Sequence, residues 1–222
     1  MKISIVLSTY KRLETLEEIL EAWLSLDQVG KVFLCDCSNK FETKLPIVHI
    51  KFNKDLGNKT MNAAALLTQE DFVILADDDI MPQKNLISDL YSGYKKAGEN
   101  CLVGFMGRKF KDNNYLHTEQ IWAYQIDYPV QVDMLGILYF TPRKYLICDL
   151  KGMENSINDL YWTAEKMQEV KKFVVPTKNV KQLSVGLKGL WTNEKSKKNR
   201  HDYYKELFEN NYKNLLRKGD NK

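Results

Sequence analysis

Residues 72–79, Phe72-Val73-Ile74-Leu75-Ala76-Asp77-Asp78-Asp79, set an unbroken apolar run directly against three carboxylates. A short run of this kind predicts a buried strand, and the aspartates fall where that strand meets solvent. Carboxylates packed so closely repel one another, so the fold must supply a compensating positive group. A hard divalent cation with oxygen ligands meets that need and keeps coordination positions open for phosphate oxygens. A solvated acidic turn closing the strand is the alternative reading of the triplet. Its place favours a metal and nucleotide site, because open α/β sheets bind ligands outside the carboxyl ends of their strands.

On either side, strand and helix signals alternate in the way that builds a parallel sheet with crossover helices. Lys2 to Ser8 predicts the first strand. Leu13, Leu16, Ile19, Leu20, Trp23 and Leu24 then recur at intervals of three and four, which marks an amphipathic helix. Val32 to Cys35 and Ile47 to Phe52 predict two further strands, and Asn58 to Leu67 a helix. After the aspartates, Pro82 is expected to open a helix reaching about Lys96, since its missing N–H costs little there. Leu102 to Met106 and Val132 to Thr141 read as strands, 107–117 as a polar loop or hairpin, and Ser156 to Met167 as a helix beginning near Asn158 and Asp159. The segment Ser184 to Arg200, polar around an isolated Trp191, reads as a mobile loop. Tyr204, Leu207, Phe208, Tyr212, Leu215 and Leu216 then fall on one face of a docked terminal helix.

Composition bounds the partners. With 222 residues and 44% hydrophobic content the chain can bury one sizeable core. Its 33 basic and 29 acidic residues leave a net charge of +4, so there is no electrostatic case for nucleic acid, and the expected partner is small. Cys35, Cys37, Cys101 and Cys148 lack zinc or framework spacing and read as reduced core thiols. No export signal and no apolar run of spanning length is found, so the chain reads as cytoplasmic. The basic tail from Lys195 to Lys222 reads as a solvated helix face, or at most as a peripheral hold on an anionic membrane.

In the expected strand order, Thr9, Tyr10 and Arg12 after the first strand, Asp36 after the second and Asp77 to Asp79 after the fourth share one edge. A nucleoside fits this cluster: a carboxylate or hydroxyl bonds base or ribose, an aromatic covers the base and a cation meets phosphate. Taken singly, Asp36 also reads as a turn former and Arg12 as a solvated residue at a helix start. Neither G-x-x-x-x-G-K-S/T nor G-x-G-x-x-G occurs, so a bound diphosphate would be neutralised by a metal and basic side chains instead.

The Ile-Val-Leu-Ser-Thr-Tyr-Lys-Arg opening (5–12), the Leu-Gly-Asn-Lys segment (56–59) leading to Asn62, and Ile-Leu-Ala-Asp-Asp-Asp-Ile (74–80) resemble the nucleotide-sugar half of GT-A glycosyltransferases. Residues 103–109, 134–140 and 158–160 are similar to blocks of the exostosin-like branch and of a related chlorella-virus glycosyltransferase. The resemblance implies an α/β GT-A fold, a Rossmann-like mixed, mainly parallel sheet flanked by helices, in one domain over 1–222. Residues 1–100 would form the nucleotide-sugar half, and 101–222 the acceptor half with its C-terminal lid and helix.

Implied with it is a metal-dependent transfer of a sugar from a nucleoside diphosphate sugar, UDP foremost, to a glycan, protein or lipid-linked hydroxyl. Asp77 would contact the nucleoside, and Asp79 with Asp78 would bind Mn2+ or Mg2+. Thr9, Tyr10, Arg12, Asp36, Lys59 and Asn62 would line the nucleotide pocket, with Gly136 beside the sugar. Asp159 would be the carboxylate near the sugar and acceptor, able to serve as base where the displacement is inverting, with retention equally open, its alternative being a helix N-terminal residue favoured by the dipole. Arg200 would close over the diphosphate. His201 would complete the metal shell or stand exposed. Of Trp122, Tyr124, Trp162 and Trp191, the last is expected to stack on a sugar ring and the others to be core or half-buried. A sugar-nucleotide nucleotidyltransferase is the second enzyme reading, ranked lower because its glycine-rich basic loop is absent. A non-catalytic glycan-binding or scaffold protein is the third.

Overall fold

The computed structural model describes residues 1–57, 59–146, 157–183, 194–210 and 212. In chain order its elements are β1 (Ile3–Thr9), α1 (Leu16–Leu24), β2 (Val29–Asp36), β3 (Val48–Lys51), α2 (Lys59–Ala65), β4 (Phe72–Asp77), β5 (Ile80–Pro82), α3 (Leu86–Lys96), β6 (Cys101–Lys109), β7 (Glu119–Trp122), β8 (Val130–Val132), β9 (Met134–Pro142), β10 (Lys171–Val174), β11 (Val180–Gln182) and α4 (Glu194–Glu209). A short π-type helix at Leu160–Lys166 precedes β10.

The main sheet runs β3-β2-β1-β4-β9-β6-β10-β8, with β7 pairing the far part of β6. β1 to β4 are parallel, with α1 crossing from β1 to β2, an irregular segment from β2 to β3 and α2 from β3 to β4. The α3 crossover from β4 to β6 leaves a gap that β9 fills, antiparallel to both neighbours. β10 returns parallel to β6, and β8 closes antiparallel to β10. The result is an α/β mixed, mainly parallel sheet: β1, β2, β3, β4, β6 and β10 run one way and β7, β8 and β9 the other.

Burial explains the strands. Ile3, Ile5, Val6 and Leu7 of β1 and Val73, Ile74, Leu75 and Ala76 of β4 are all fully buried, as central strands covered on both faces must be. α1 covers the sheet with Leu16, Ile19, Leu20 and Trp23, each at 0% exposure. α3 lies so close to the end of β10 that a methyl group on Gly93 would sit 2.5 Å from Val175 Cβ. We therefore expect Gly93→Ala to force that contact apart and destabilise the fold by about 1–3 kcal/mol, read as a lower melting temperature in thermal unfolding.

Three expectations are corrected. Pro82 ends β5, which pairs with β11 (Val180↔Pro82), and α3 begins only at Leu86. The segment 194–200 is helical, not a loop, because α4 starts at Glu194. Charge pairs at helical spacing hold that first part without an apolar stripe: Lys197 to Glu194 at 2.7 Å and Lys198 to Asp202 at 2.5 Å. Residues 184–193, with Trp191, lie outside the described residues, as do Cys148, Leu215 and Leu216. Finally, 107–109 extend β6 instead of opening a loop. Cys35, Cys37 and Cys101 are buried free thiols, and burial pushes Cys35 up to about 12. Among the described residues no helix is long and apolar enough to cross a membrane.

α4 docks through a second, aromatic core. Tyr204, Leu207 and Phe208 pack against Phe110, Tyr115, Met134 and Leu160, with Phe110 and Tyr204 edge to face at 4.8 Å. Arg200, one turn before Tyr204, is carried inward on the same face and is only 7% exposed.

Candidate functional site

Register places the first part of the site. Thr9 lies opposite Asp36 across β1 and β2, and Ser8 lies opposite Asp77 across β1 and β4. All four stand at the carboxyl edge of the sheet. The chain turns sharply after Asp77 into β5, which brings Asp78 and Asp79 inward, at 4% and 7% exposure.

Arg12 supplies the compensating charge. Its Nη2 lies 2.7 Å from Asp78 Oδ1 and its Nη1 bonds Asp79 Oδ2. Thr9 Oγ1 donates to Asp78 Oδ2 at 2.8 Å, and Gln182 Nε2 to Asp79 Oδ2 at 3.3 Å. Burial nevertheless outweighs these partners at Asp78 and pushes its carboxyl up to about 6. Asp77 is pushed well above the usual carboxylate range by burial, then by Asp79 and Asp78, with Asp159 adding to the rise.

Asp79 Oδ1 is buried and accepts no hydrogen bond. A hard cation is the partner such an oxygen suits, so the donor chemistry fits Mn2+ or Mg2+. Among the described residues no three His, Cys, Asp or Glu side chains converge on a common metal position. His201 on α4 is accordingly not brought to Asp78 and Asp79. A cation held by one or two carboxylates would take its other ligands from water and phosphate, a usual arrangement for Mg2+.

Asp36 is corrected to a structural role. Its side chain is fully buried, and Oδ1 accepts from the Ser38 and Asn39 amides at 2.9 and 3.0 Å while Oδ2 accepts from the Phe41 amide at 3.1 Å. Burial opposes ionisation here, but the Ser38 hydroxyl and these amides prevail and hold the carboxyl below its ordinary value. Both oxygens are taken up within the fold, by the turn after β2 and, for Oδ2, by the nearby His49 Nε2 of β3 at 3.5 Å. α2 is tied to the same edge by Thr60, whose hydroxyl lies 3.3 Å from Ser8 Oγ and donates to Gly57 O at 2.8 Å. Lys59 opens α2 at this edge and Asn62 is buried on it. Tyr10 is 43% exposed beside them, with Lys11 Nζ 5.4 Å from its ring centre.

The second part of the site comes from the far half of the chain. Asp159 sits at the N-terminus of the π-type helix, where Oδ1 accepts from the Leu160 amide at 3.0 Å. The Thr163 hydroxyl bonds Asp159 O at 2.7 Å and accepts from the Leu135 amide at 3.1 Å, fixing this helix to β9. Arg200 forks onto both carboxylate oxygens of Asp159, with Nη1 2.6 Å from Oδ1. Its guanidinium also lies 4.8 Å from the Tyr115 ring centre, and Arg108 lies 5.0 Å from the same ring. The structure thus brings Arg200 to Asp159.

Gly136 faces this carboxylate. A methyl group there would lie 3.6 Å from Asp159 Oδ2 and 2.7 Å from Met106 Cε. The absent side chain at Gly136 leaves room for Met106 to pack against the backbone beside Asp159 Oδ2. Next to it, Ile137 has φ +70°, a left-handed conformation that is costly for a β-branched residue. It lies where β9 bulges against β6, one residue past the Ala76↔Leu138 pair, and so beside Asp77. Sequence reasoning missed Ile137, Tyr115, Arg108, Thr60 and Gln182. Arg108 and Ile137 stand inside the 103–109 and 134–140 blocks without a side-chain type that announces a role, and Gln182 meets Asp79 only 103 positions away in the chain.

No family profile matches this chain, and no curated protein does. Among solved structures, S. aureus TarS 1–349 is similar at a TM-score of 0.58 and 16% identity, covering 81% of this chain. The chain spans 59% of that structure's length. The likeness shows the fold alone, a GT-A-like α/β fold.

Proposed function

We propose that the protein is a metal-dependent glycosyltransferase that moves a sugar from a nucleoside diphosphate sugar, UDP foremost, to a hydroxyl of a glycan, protein or lipid-linked acceptor. The observation that carries this reading is the meeting of two acidic centres across β4 and β9: the Asp77 to Asp79 triplet follows Ala76, whose partner Leu138 stands two residues from Gly136, and Gly136 faces Asp159 Oδ2. One centre suits a departing diphosphate and its counter-ion. The other suits an acceptor proton.

Asp79, through its unpartnered Oδ1, and Asp78 would hold the metal. When bound, a divalent metal supplies Lewis-acid stabilisation of the leaving diphosphate. Tyr10, exposed at the end of β1, covers the base, and Asp77 contacts the nucleoside. Lys59 and Arg12 add positive charge for the phosphates. The acceptor hydroxyl would approach the Asp159 carboxylate, which Gly136 flanks. Its oxygen bonds to the anomeric carbon, the bond from that carbon to the diphosphate breaks, and the proton passes to Asp159.

Isothermal titration with UDP tests the reading. Binding should appear with Mn2+ and disappear with a chelator, and a non-catalytic scaffold would show no such metal dependence. Asp79→Ala should abolish the metal response, whereas Asp77→Ala should weaken nucleotide affinity and keep it. Wild-type turnover by Asp79→Ala at limiting Mn2+ would make the metal assignment wrong.

A further inference from the structure

Trp122 at the end of β7 and Tyr124 just beyond it form a stacked aromatic pair, ring centres 5.7 Å apart and planes 30° apart. Phe105, only 3% exposed, braces the pair edge-on to Trp122 at 5.8 Å. Tyr124 is 51% exposed, although a ring of that size normally gains by burial. The backbone beneath is fixed, since Ala123 is buried and its carbonyl accepts from the Thr177 amide at 3.3 Å. Gln125 and Asp127 stand exposed beside the rings. An ordered, solvent-facing aromatic flanked by polar side chains has the makeup of a surface that packs the C–H face of a pyranose and bonds its hydroxyls.

Register ties this surface to the site. Trp122 lies directly opposite Met106, and Met106 directly opposite Gly136, so the three follow one another across β7, β6 and β9. Gly136 is the residue beside Asp159 Oδ2. Two strand spacings, about 10 Å, therefore separate the backbone at Trp122 from the backbone under the proposed base. A hydroxyl at Asp159 and a ring on Tyr124 would belong to different sugars of one acceptor.

We propose that Trp122 and Tyr124 form an acceptor subsite that stacks a pyranose ring one or more residues away from the reacting hydroxyl, which makes the acceptor an oligosaccharide or a glycan chain. This rests on the glycosyltransferase reading. The polar neighbours and the register to Gly136 favour a sugar over an apolar protein partner.

A glycan array probed with the wild-type chain and with Tyr124→Ala, Tyr124→Phe and Trp122→Ala tests it, alongside titration of UDP with Mn2+. Wild type should bind pyranose-containing oligosaccharides, Tyr124→Phe should retain that binding, and Tyr124→Ala should weaken it about tenfold with UDP binding unchanged. Because Tyr124 is exposed, its loss should leave the melting temperature in place, whereas Trp122→Ala can also disturb packing on Phe105. Equal glycan binding by wild type and Tyr124→Ala would overturn the subsite. So would absence of glycan binding by wild type while UDP still binds, or concentration-dependent self-association that Tyr124→Ala abolishes. Loss of UDP binding by wild type would instead strike the glycosyltransferase reading itself.

Discussion

Asp159→Asn should lower turnover by on the order of a hundredfold or more while leaving UDP affinity close to wild type, because the amide is nearly isosteric but cannot take the acceptor proton. The same change has a second, separable effect. Arg200 is 7% exposed and forks onto Asp159, so the variant leaves a buried guanidinium without its counter-charge. Breaking a buried pair costs about 3–5 kcal/mol, which for a chain of this size lowers the melting temperature by roughly 6–20 °C. Adding Arg200→Gln removes the orphaned charge. In the double variant stability should recover while turnover stays low. Recovery of both would place Asp159 in folding alone, and a collapse of donor affinity in Asp159→Asn would place it in binding.

Much of the sheet was legible because its signals are contiguous. Val73 to Ala76 and Ile3 to Leu7 read as buried strands since both faces are covered, and the apolar residues of α1 keep helical spacing. The edge cluster of Thr9, Arg12 and the three aspartates was legible for the same reason: each follows directly on a readable strand. Illegible were the pairings. Nothing local in Arg12 announces that it will bridge Asp79 67 positions later, or in Arg200 that it will fork onto Asp159 41 positions back. Short polar strands such as β11 (Val-Lys-Gln) carry no period, so Pro82 seemed free to open a helix when it was already paired with Val180. The start of α4 was hidden because charge pairs, which leave no apolar stripe, hold its first turns. Asp36 was legible as a turn former, and the choice between turn and ligand depended on the amides of residues 38 to 41 folding back onto it.

Arg12→Met should destabilise the metal-free protein more than any other single change at the edge, and by an amount set by pH. The guanidinium answers both Asp78 and Asp79, which are 4% and 7% exposed, and methionine replaces its length without its charge. Arg12 is itself 28% exposed in its side chain, so a loss near the lower end for a buried pair is expected, about 3 kcal/mol or roughly 6–12 °C at pH 7. The sign of the pH dependence follows from Asp78, raised by burial to about 6 in the fold and lying near 4 in the unfolded chain. Between those values the folded state holds the proton more tightly. Stability contributed at this site is therefore greatest below pH 4 and falls as pH rises through about 6. Well below pH 6 Asp78 in the fold is neutral and needs Arg12 less, so the gap between wild type and variant should narrow as the buffer is taken from pH 7 to pH 4.5. Mn2+ competes for the same carboxylates, and it should raise the melting temperature of Arg12→Met more than that of wild type at pH 7, because no guanidinium has to be displaced. Thermal unfolding with chelator and with Mn2+ at the two pH values reads all of these quantities. A gap that is unchanged at pH 4.5, together with equal Mn2+ shifts in both proteins, would mean that Arg12 does not neutralise the triplet and that the cation site lies elsewhere.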